Sequence, residues 1–311
     1  MWQIIGGLFL GWNLGANDSA NVFGPAVAAR VIRYSYAVIL IAIFALIGSV
    51  IEGPKCMMLM KDVSSENAVP LMAFITTLCA GLTMLILTLI SVPASTSQAI
   101  MGGIIGSRLA TDGTLPEMSV LLKIVICWTV TPVGAALVAY LLYMFAEWIQ
   151  GRLFRKGTVF QRVIMIGAVV SGIYGSYCLG ANNVANTTGV YFASGQLSAF
   201  WASVIGGVAI AVGALTFSRG VMQTVGERIT RLGPLAAFIS ILAQALTVHI
   251  YTQIRVPVST SQAVVGAVVG IGLRRGIRAV SRAMLITIVI GWFATPVCAG
   301  IFSYILTKLL G

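Results

Sequence analysis

The chain is a succession of apolar runs, most of them long enough to cross a lipid bilayer, separated by short gaps that carry most of the charges. The runs cover approximately residues 2–29, 37–52, 70–91, 93–107, 118–146, 163–193, 199–217, 233–254, 256–273 and 283–308. Only 9% of the 311 residues are charged, whereas soluble domains carry about 25%. The pattern predicts an all-α, polytopic membrane protein with about ten transmembrane segments, and it excludes a soluble enzyme and a disordered chain.

The charges indicate what surrounds the protein. There are 19 Lys and Arg against 8 Asp and Glu, a net charge of +11, and such a balance could suit a nucleic acid. The basic residues instead lie almost entirely in the gaps between apolar runs, where they are typical of membrane-orientation signals. We therefore expect the lipid bilayer as a partner and no nucleic acid.

Three sequence blocks of the first half recur in the second half, in the same order and at an offset of 164 or 165 residues. They are GANDSANVFG (15–24) with GANNVANTTG (180–189), VPASTSQAIMGGIIG (92–106) with VPVSTSQAVVGAVVG (256–270), and WTVTPVGA (128–135) with WFATPVCA (292–299). Three blocks at one offset predict a duplicated half-transporter. We expect a first repeat over 1–150, a basic cytoplasmic linker over 151–162 and a second repeat over 163–311, together forming one integral transport domain.

The gaps and the number of runs together predict the topology. The gap at 108–117 has one Arg with two acidic residues, whereas its equivalent at 274–282 has four Arg, as expected if matched gaps lie on opposite membrane faces. Five runs per half is an odd number, so the second repeat would be inverted, with both termini outside the cytoplasmic membrane. The run 93–107 is shorter than the roughly 20 residues of a spanning helix. This run and the matched run 256–273 therefore either re-enter as part of broken helices or cross fully.

A Pro-x-Ser-Thr-Ser-Gln segment occurs in both halves, at 93–98 and 257–262. Proline disfavours helix in the residue before it, so the preceding helices should end near Val92 and Val256. Serine is a favoured N-cap, so new helices should begin at Ser95 and Ser259. The unpaired amides and the dipole of such a helix start attract an anion. Alternatively, the hydroxyls only bond back to their own helices.

The other repeated polar motif contains asparagines and one carboxylate, within 15–21 and 180–186. Amide and carboxylate oxygens are hard ligands that suit a small cation such as sodium. Asp18 is the only carboxylate in this apolar context, and a charge there is costly unless it is paired or functional. The long run 2–29 fits a helix interrupted at this cluster. Alternatively, the cluster is a polar clamp between helices.

Several kinds of chemistry are not expected. The five cysteines show no CxxC spacing, and we expect them to be small hydrophobic packing residues. His249 is the single histidine, which excludes a histidine metal cluster, and a hydrogen-bonded residue near a helix end is favoured over a proton relay. We therefore expect no cofactor, no catalytic residue and no enzyme. An anion channel would use the same helix starts and is the distant alternative to a carrier.

Both motifs resemble signatures of the PiT-type inorganic phosphate transporter family, whose halves each carry a GANDxxN-like and a P-x-S-T-S/T-like segment. The resemblance implies an inverted-repeat carrier, or symporter, that moves inorganic phosphate with a coupling cation, Na+ or H+, and it implies a homodimer. The implied anion-binding residues are Ser95, Thr96, Ser97, Gln98, Ser259, Thr260, Ser261, Gln262, Asn21 and Asn186. The implied cation-binding residues are Asn17, Asp18, Asn182 and Asn183, with a Na+ ion near Asp18.

The chain departs from the family pattern at Asn183, where many members have Asp. The family also includes sulfate permeases, and the departure keeps sulfate open as the substrate. Hydrogen phosphate can donate a proton to a buried acceptor, whereas sulfate cannot, and an unpaired buried acceptor costs about 1–3 kcal/mol. Asp18 is such an acceptor, so phosphate is favoured and sulfate, or a related oxyanion, is the alternative.

Overall fold

The computed structural model describes residues 2–64, 69–89, 94–153, 157–229, 233–276 and 282–310, and all regular structure in these ranges is helical. The described residues form ten helices, in chain order α1 Ile4–Ala28, α2 Tyr34–Val63, α3 Pro70–Leu89, α4 Thr96–Thr111, α5 Met118–Leu153, α6 Gly157–Ala193, α7 Ala199–Ile229, α8 Pro234–Gln253, α9 Thr260–Arg275 and α10 Arg282–Leu310.

Seven of the described helices are long and apolar enough to cross a membrane: α2, α3, α5, α6, α7, α8 and α10. α1 has 25 residues, but its central polar cluster lowers its hydropathy. α4 and α9 have 16 residues each, or about 24 Å of helix, which is less than the roughly 30 Å of a hydrocarbon core. The predicted class, an all-α multi-pass membrane protein, is confirmed.

The two halves pack into each other. α1 lies against α7 while α6 lies against α2, and α4 lies against α10 while α9 lies against α5. Matched glycines permit the closest of these crossings, because a Cβ atom at Gly15 would overlap the backbone carbonyl of Ile210, and one at Gly180 would overlap that of Ala45. Such close backbone approach is typical of helix packing in membranes.

α3 and α4 form an antiparallel helical hairpin. Near the middle of the hairpin Gly103 lies against the carbonyl of Thr76, and toward its open end the hydroxyl of Thr111 lies 3.7 Å from the sulfur of Met72. α8 and α9 also pack on each other, joined by the connection 254–259. The described residues of the Pro-x-Ser-Thr-Ser-Gln segments, 94–98 and 257–262, lie at the starts of α4 and α9, and we call these two places the hairpin tips.

The predicted interruption of the first run is wrong, because α1 is continuous from Ile4 to Ala28. Two of its three asparagines bond to side chains of other elements, since Asn17 donates to Thr88 and Asn21 to Ser261, whereas Asn13 donates to the carbonyl of Phe9 in its own helix. Ser19 does bond back to the carbonyl of Gly15. The helical ladder therefore stays intact through the polar cluster.

Other boundaries also differ from the sequence analysis, and α7, for example, runs to Ile229 instead of ending near 217. α8 ends at Gln253, three residues before the predicted Val256, since the connection is held in a non-helical form by Asn182. α2 extends to Val63, so Lys55 is helical rather than in a gap. Residues 151–153 and 157–162 of the expected linker are also helical, while 154–156 and Val92 lie outside the described residues.

Candidate binding site at the hairpin tips

α4 and α9 begin at the predicted N-caps. The Ser95 hydroxyl accepts a hydrogen bond from the amide of Gln98 at 3.4 Å, and the Ser259 hydroxyl accepts one from the amide of Gln262 at 3.2 Å. Helix geometry leaves the first amides of each helix without an intrahelical partner. The helix dipole adds about half a positive charge at each start, so both helix starts have the chemistry of an anion site.

The two tips meet in the centre of the molecule. The Ser97 hydroxyl donates to the carbonyl of Val258 at 3.1 Å. In the matched contact the Ser261 hydroxyl lies 3.5 Å from the carbonyl of Ala94. The two helix starts are therefore neighbours, although they are 164 residues apart in the chain.

Two asparagines attach the tips to the long helices α1 and α6. Asn21 donates to the Ser261 hydroxyl at 2.9 Å and to the Asp18 carboxylate at 3.3 Å. Asn186 likewise donates to Ser97 and to the side-chain oxygen of Asn183, both at 2.9 Å. The structure thus brings together one set of residues from each repeat, and the sets differ in that Asp18 is a carboxylic acid and Asn183 is an amide.

Asn17 and Asn182 hold the segments that lead into the tips. Asn182 donates to the Thr252 hydroxyl at 3.0 Å and to the carbonyl of Val256 at 3.2 Å. Its side-chain oxygen accepts from the amide of Val258 at 2.8 Å. Asn17 donates to the Thr88 hydroxyl at 3.1 Å. Thr88 and Thr252 lie outside the repeated motifs and are not predicted site residues, although these threonines are themselves 164 residues apart.

The site is buried and contains polar atoms without partners. Asp18 is 3% exposed, and the Thr260 side chain lies beside it without forming a hydrogen bond of ordinary length and geometry. Among the described residues of the tips and their asparagines, six buried side-chain atoms lack a hydrogen-bond partner: Thr96 Oγ1, Gln98 Oε1, Asn183 Nδ2, Asn186 Oδ1, Thr260 Oγ1 and Gln262 Oε1. Unpaired buried polar atoms are rare, so this concentration marks a place for a polar ligand.

The arrangement can hold an anion and a cation side by side. The helix starts, the threonine hydroxyls and the Asn183 amide offer hydrogen-bond donors to an oxyanion. The Asp18 carboxylate offers oxygen ligands to a cation, and the amide oxygens of Gln98, Gln262 and Asn186 are unpaired hydrogen-bond acceptors. An interlocked, multi-pass helical protein with such a site at its centre belongs to the class of membrane transporters.

Comparison with known proteins identifies the family. A model described as the phosphate transporter family matches residues 14–166 and again 151–303. The chain is 30% identical over 309 residues to a candidate phosphate permease of Methanocaldococcus jannaschii, covering 99% of this chain and 97% of the relative. The chain therefore belongs to the phosphate transporter family, as the two motifs predict.

Two further relatives bear on substrate and fold. Sulfate permease CysP of Bacillus subtilis is 28% identical over 313 residues, covering 98% of this chain and 86% of the relative. A solved structure titled the sodium-dependent phosphate transporter superposes with a TM-score of 0.89 at 24% identity, over 99% of this chain and 98% of that one. This likeness shows that the two proteins share a fold.

Proposed function

We propose that the protein is a cation-coupled symporter of inorganic phosphate in the cytoplasmic membrane. The observation that carries the proposal is the meeting of two helix starts, six unpaired buried polar atoms and one carboxylate in a single buried cluster. Membership of the phosphate transporter family also supports inorganic phosphate as the substrate.

The anion would lie between the starts of α4 and α9. The Ser95 and Ser259 hydroxyls accept from the third amide of each helix. The first two amides, of residues 96–97 and 260–261, have no partner within the helix and remain available to the anion. Thr96 and Thr260 add hydroxyl donors. The predicted anion ligands Asn21 and Asn186 would act mainly by orienting Ser261 and Ser97, to which they donate.

The cation would lie at Asp18, and its charge explains coupling. An ionised Asp18 alone repels an oxyanion bound at the neighbouring helix starts, since charges interact strongly where water is excluded. A cation at Asp18 removes that repulsion, so each ion increases the affinity of the site for the other. Coupled binding of this kind is what a symporter requires.

Phosphate is the favoured anion because the site is rich in acceptors. Gln98, Gln262 and Asn186 each have an unpaired oxygen, and hydrogen phosphate carries a hydroxyl that can donate to one of them. Sulfate has no such hydrogen, and each acceptor left unpaired costs about 1–3 kcal/mol.

One observation favours sulfate as a second candidate. The amide nitrogen of Asn183 is an unpaired buried donor at the position where an Asp would be an acceptor, and a fully deprotonated anion satisfies a donor equally well. Competition of labelled phosphate uptake by sulfate decides between the two. Weak competition supports phosphate, and uptake of sulfate in preference to phosphate assigns the chain to the sulfate group.

We further propose that the two repeats, 1–150 and 163–311, are inverted relative to each other. The mirrored pairing of α1 with α7 and of α6 with α2 supports two equivalent halves. If each hairpin re-enters instead of crossing, every half crosses three times instead of five. Both numbers are odd, so inversion would follow in either case with both termini on one side, and the charges of the gaps favour the outside.

Uptake into proteoliposomes tests the proposal. We expect saturable accumulation of labelled phosphate that depends on an inward sodium or proton gradient. Uptake that continues unchanged after the gradients are abolished would exclude a symporter. Single-channel currents in a planar bilayer would instead establish an anion channel.

A further inference from the structure

A second polar cluster joins α2, α6 and α8 and contains none of the predicted site residues. The imidazole of His249 lies 2.5 Å from the hydroxyl of Tyr174 through Nδ1 and 3.1 Å from the carboxylate of Glu52 through Nε2. Gln253 donates to the same carboxylate at 2.9 Å and accepts from Lys55 at 2.8 Å. The result is one continuous chain of hydrogen bonds between three helices.

The cluster has no polar equivalent in the other repeat. At the offsets of 164 and 165 residues, Glu52 corresponds to Phe217, Tyr174 to Phe9, and His249 to Leu85. Apolar side chains therefore suffice to pack the matched helices α7, α1 and α3. Because ionisable groups inside a membrane are costly and usually functional, packing alone does not explain the cluster.

The cluster can take up a proton without losing a hydrogen bond. With neutral imidazole, Nε2–H donates to Glu52 and Nδ1 accepts from the hydroxyl of Tyr174. After protonation Nδ1–H donates instead, and the same hydroxyl oxygen accepts, because a phenol can act in both ways. His249 is near the carboxyl end of α8, where the helix dipole favours a positive charge.

The charged and titratable groups around His249 suit this exchange. From α2 it faces Glu52 and Lys55, which form an ion pair at 3.4 Å. From α6 it faces the rings of Tyr174 and Tyr177, with Cys178 beside Tyr174. Lys55 offsets the charge of Glu52, so the arriving proton adds one positive charge. The side chains of His249 and Glu52 are 25% and 17% exposed, so the protein encloses this cluster only partly.

The last turn of α8 connects the cluster to the candidate site. Gln253 takes part in the cluster, while its neighbour Thr252 accepts from Asn182. Asn182 also holds Val256 and Val258, immediately before the N-cap Ser259. A change of charge at His249 therefore acts on the turn that fixes the tip of the α8–α9 hairpin.

We propose that Glu52, His249 and Tyr174 form a proton-binding site, separate from Asp18, whose occupancy drives movement of the α8–α9 hairpin during transport. The proposal rests on the proposed function, because it names a coupling ion and its site. The proton arrives at Nδ1 of His249 and leaves from the same atom, with no other bond made or broken.

Full-length protein in proteoliposomes tests the proposal, with sodium equal on both sides. Two processes are compared: accumulation of labelled phosphate under an inward gradient of one pH unit, and exchange of labelled for unlabelled phosphate at equal pH. The wild type should accumulate phosphate, since each coupled proton supports about a tenfold gradient per pH unit. His249→Gln and Glu52→Gln should lose the accumulation and keep the exchange. The control Glu117→Gln, at an exposed carboxylate, should keep both.

The proton site is wrong if His249→Gln accumulates phosphate as well as the wild type does. It is also wrong if both variants remain folded but lose exchange. A wild type that exchanges phosphate but does not respond to the pH gradient would overturn it too. If His249→Gln and Glu52→Gln do not fold, the variant Tyr174→Phe tests the proton site instead. It should shift the pH profile of accumulation, and an unchanged profile contradicts the site. A wild type without phosphate exchange refutes the proposed function itself.

Discussion

At the residue scale, the two halves of the candidate site differ mainly by one charge. Asn21 with Asp18 and Ser261 repeats as Asn186 with Asn183 and Ser97, with donor distances of 2.9–3.3 Å. The chain therefore has one ionisable position where a symmetrical site would have two, which fits a single charged cation site at the tips.

Asp18→Asn tests that assignment. The variant removes the only carboxylate at the tips and keeps the side-chain size, so cation dependence should weaken more than anion selectivity. A hydrogen bond or ligand contact to a charged group is worth about 1.5–3 kcal/mol, so the half-saturating sodium concentration should rise at least about tenfold. Asp62→Asn, at an exposed position of α2, is the matched control. Unchanged sodium dependence in Asp18→Asn would place the cation elsewhere.

Ser95→Ala and Ser259→Ala test the helix starts. Loss of an N-cap costs about 0.5–2 kcal/mol, and here it also misorients the amides that face the anion. The half-saturating phosphate concentration should rise about fivefold while membrane insertion is retained. Ser259→Thr keeps a capping hydroxyl and should restore most of the affinity. Ser198→Ala removes the equivalent bond to Trp201 at the start of α7 and should leave uptake unchanged; wild-type kinetics in Ser259→Ala would contradict the assignment.

At the element scale, local chemistry predicts where helices begin, and tertiary contacts decide where they end. Ser95 and Ser259 are the predicted N-caps because capping needs only the residue and the next turn. The continuity of α1 past Asp18 could not be read from the sequence, since it depends on partners such as Thr88 and Ser261 far along the chain.

Gly15→Ala and Gly180→Ala test the packing of the interlocked helices. A Cβ atom at either position meets backbone of the crossing helix, which cannot rotate away, so the helices must separate. Overpacking of this kind costs about 1–3 kcal/mol and should lower the melting temperature in detergent. Gly134→Ala in α5, where a Cβ atom meets nothing within 4 Å, should be neutral or slightly stabilising. Equal melting temperatures for all three variants would contradict the close crossings.

At the scale of the whole molecule, the repeated blocks predict the pairing of the halves, but not the single proton-accepting cluster. His249 and Glu52 have apolar counterparts, so the offset that reveals the tips gives no signal for them. From the sequence, His249 is predicted only to be a hydrogen-bonded residue near a helix end and Glu52 has no predicted role, because their contact joins residues 197 positions apart.

Cysteine labelling tests the overall topology. Trp2→Cys and Leu309→Cys, at exposed positions near the termini, should both react with an impermeant thiol reagent added to intact cells. Arg152→Cys, near the junction of the halves, should react only after permeabilisation. The unmodified chain provides the background, since four of its cysteines are buried and Cys298 is half-buried. Labelling of the two termini from opposite sides would exclude the inverted arrangement.

The most direct test of the candidate site is an anomalous-diffraction map of crystals grown with arsenate, a phosphate analogue whose arsenic can be located on its own. We predict one arsenic peak between the starts of α4 and α9, within hydrogen-bond reach of Thr96 and Thr260. A peak elsewhere in the protein, with none between the two hairpin tips, would contradict the proposed site.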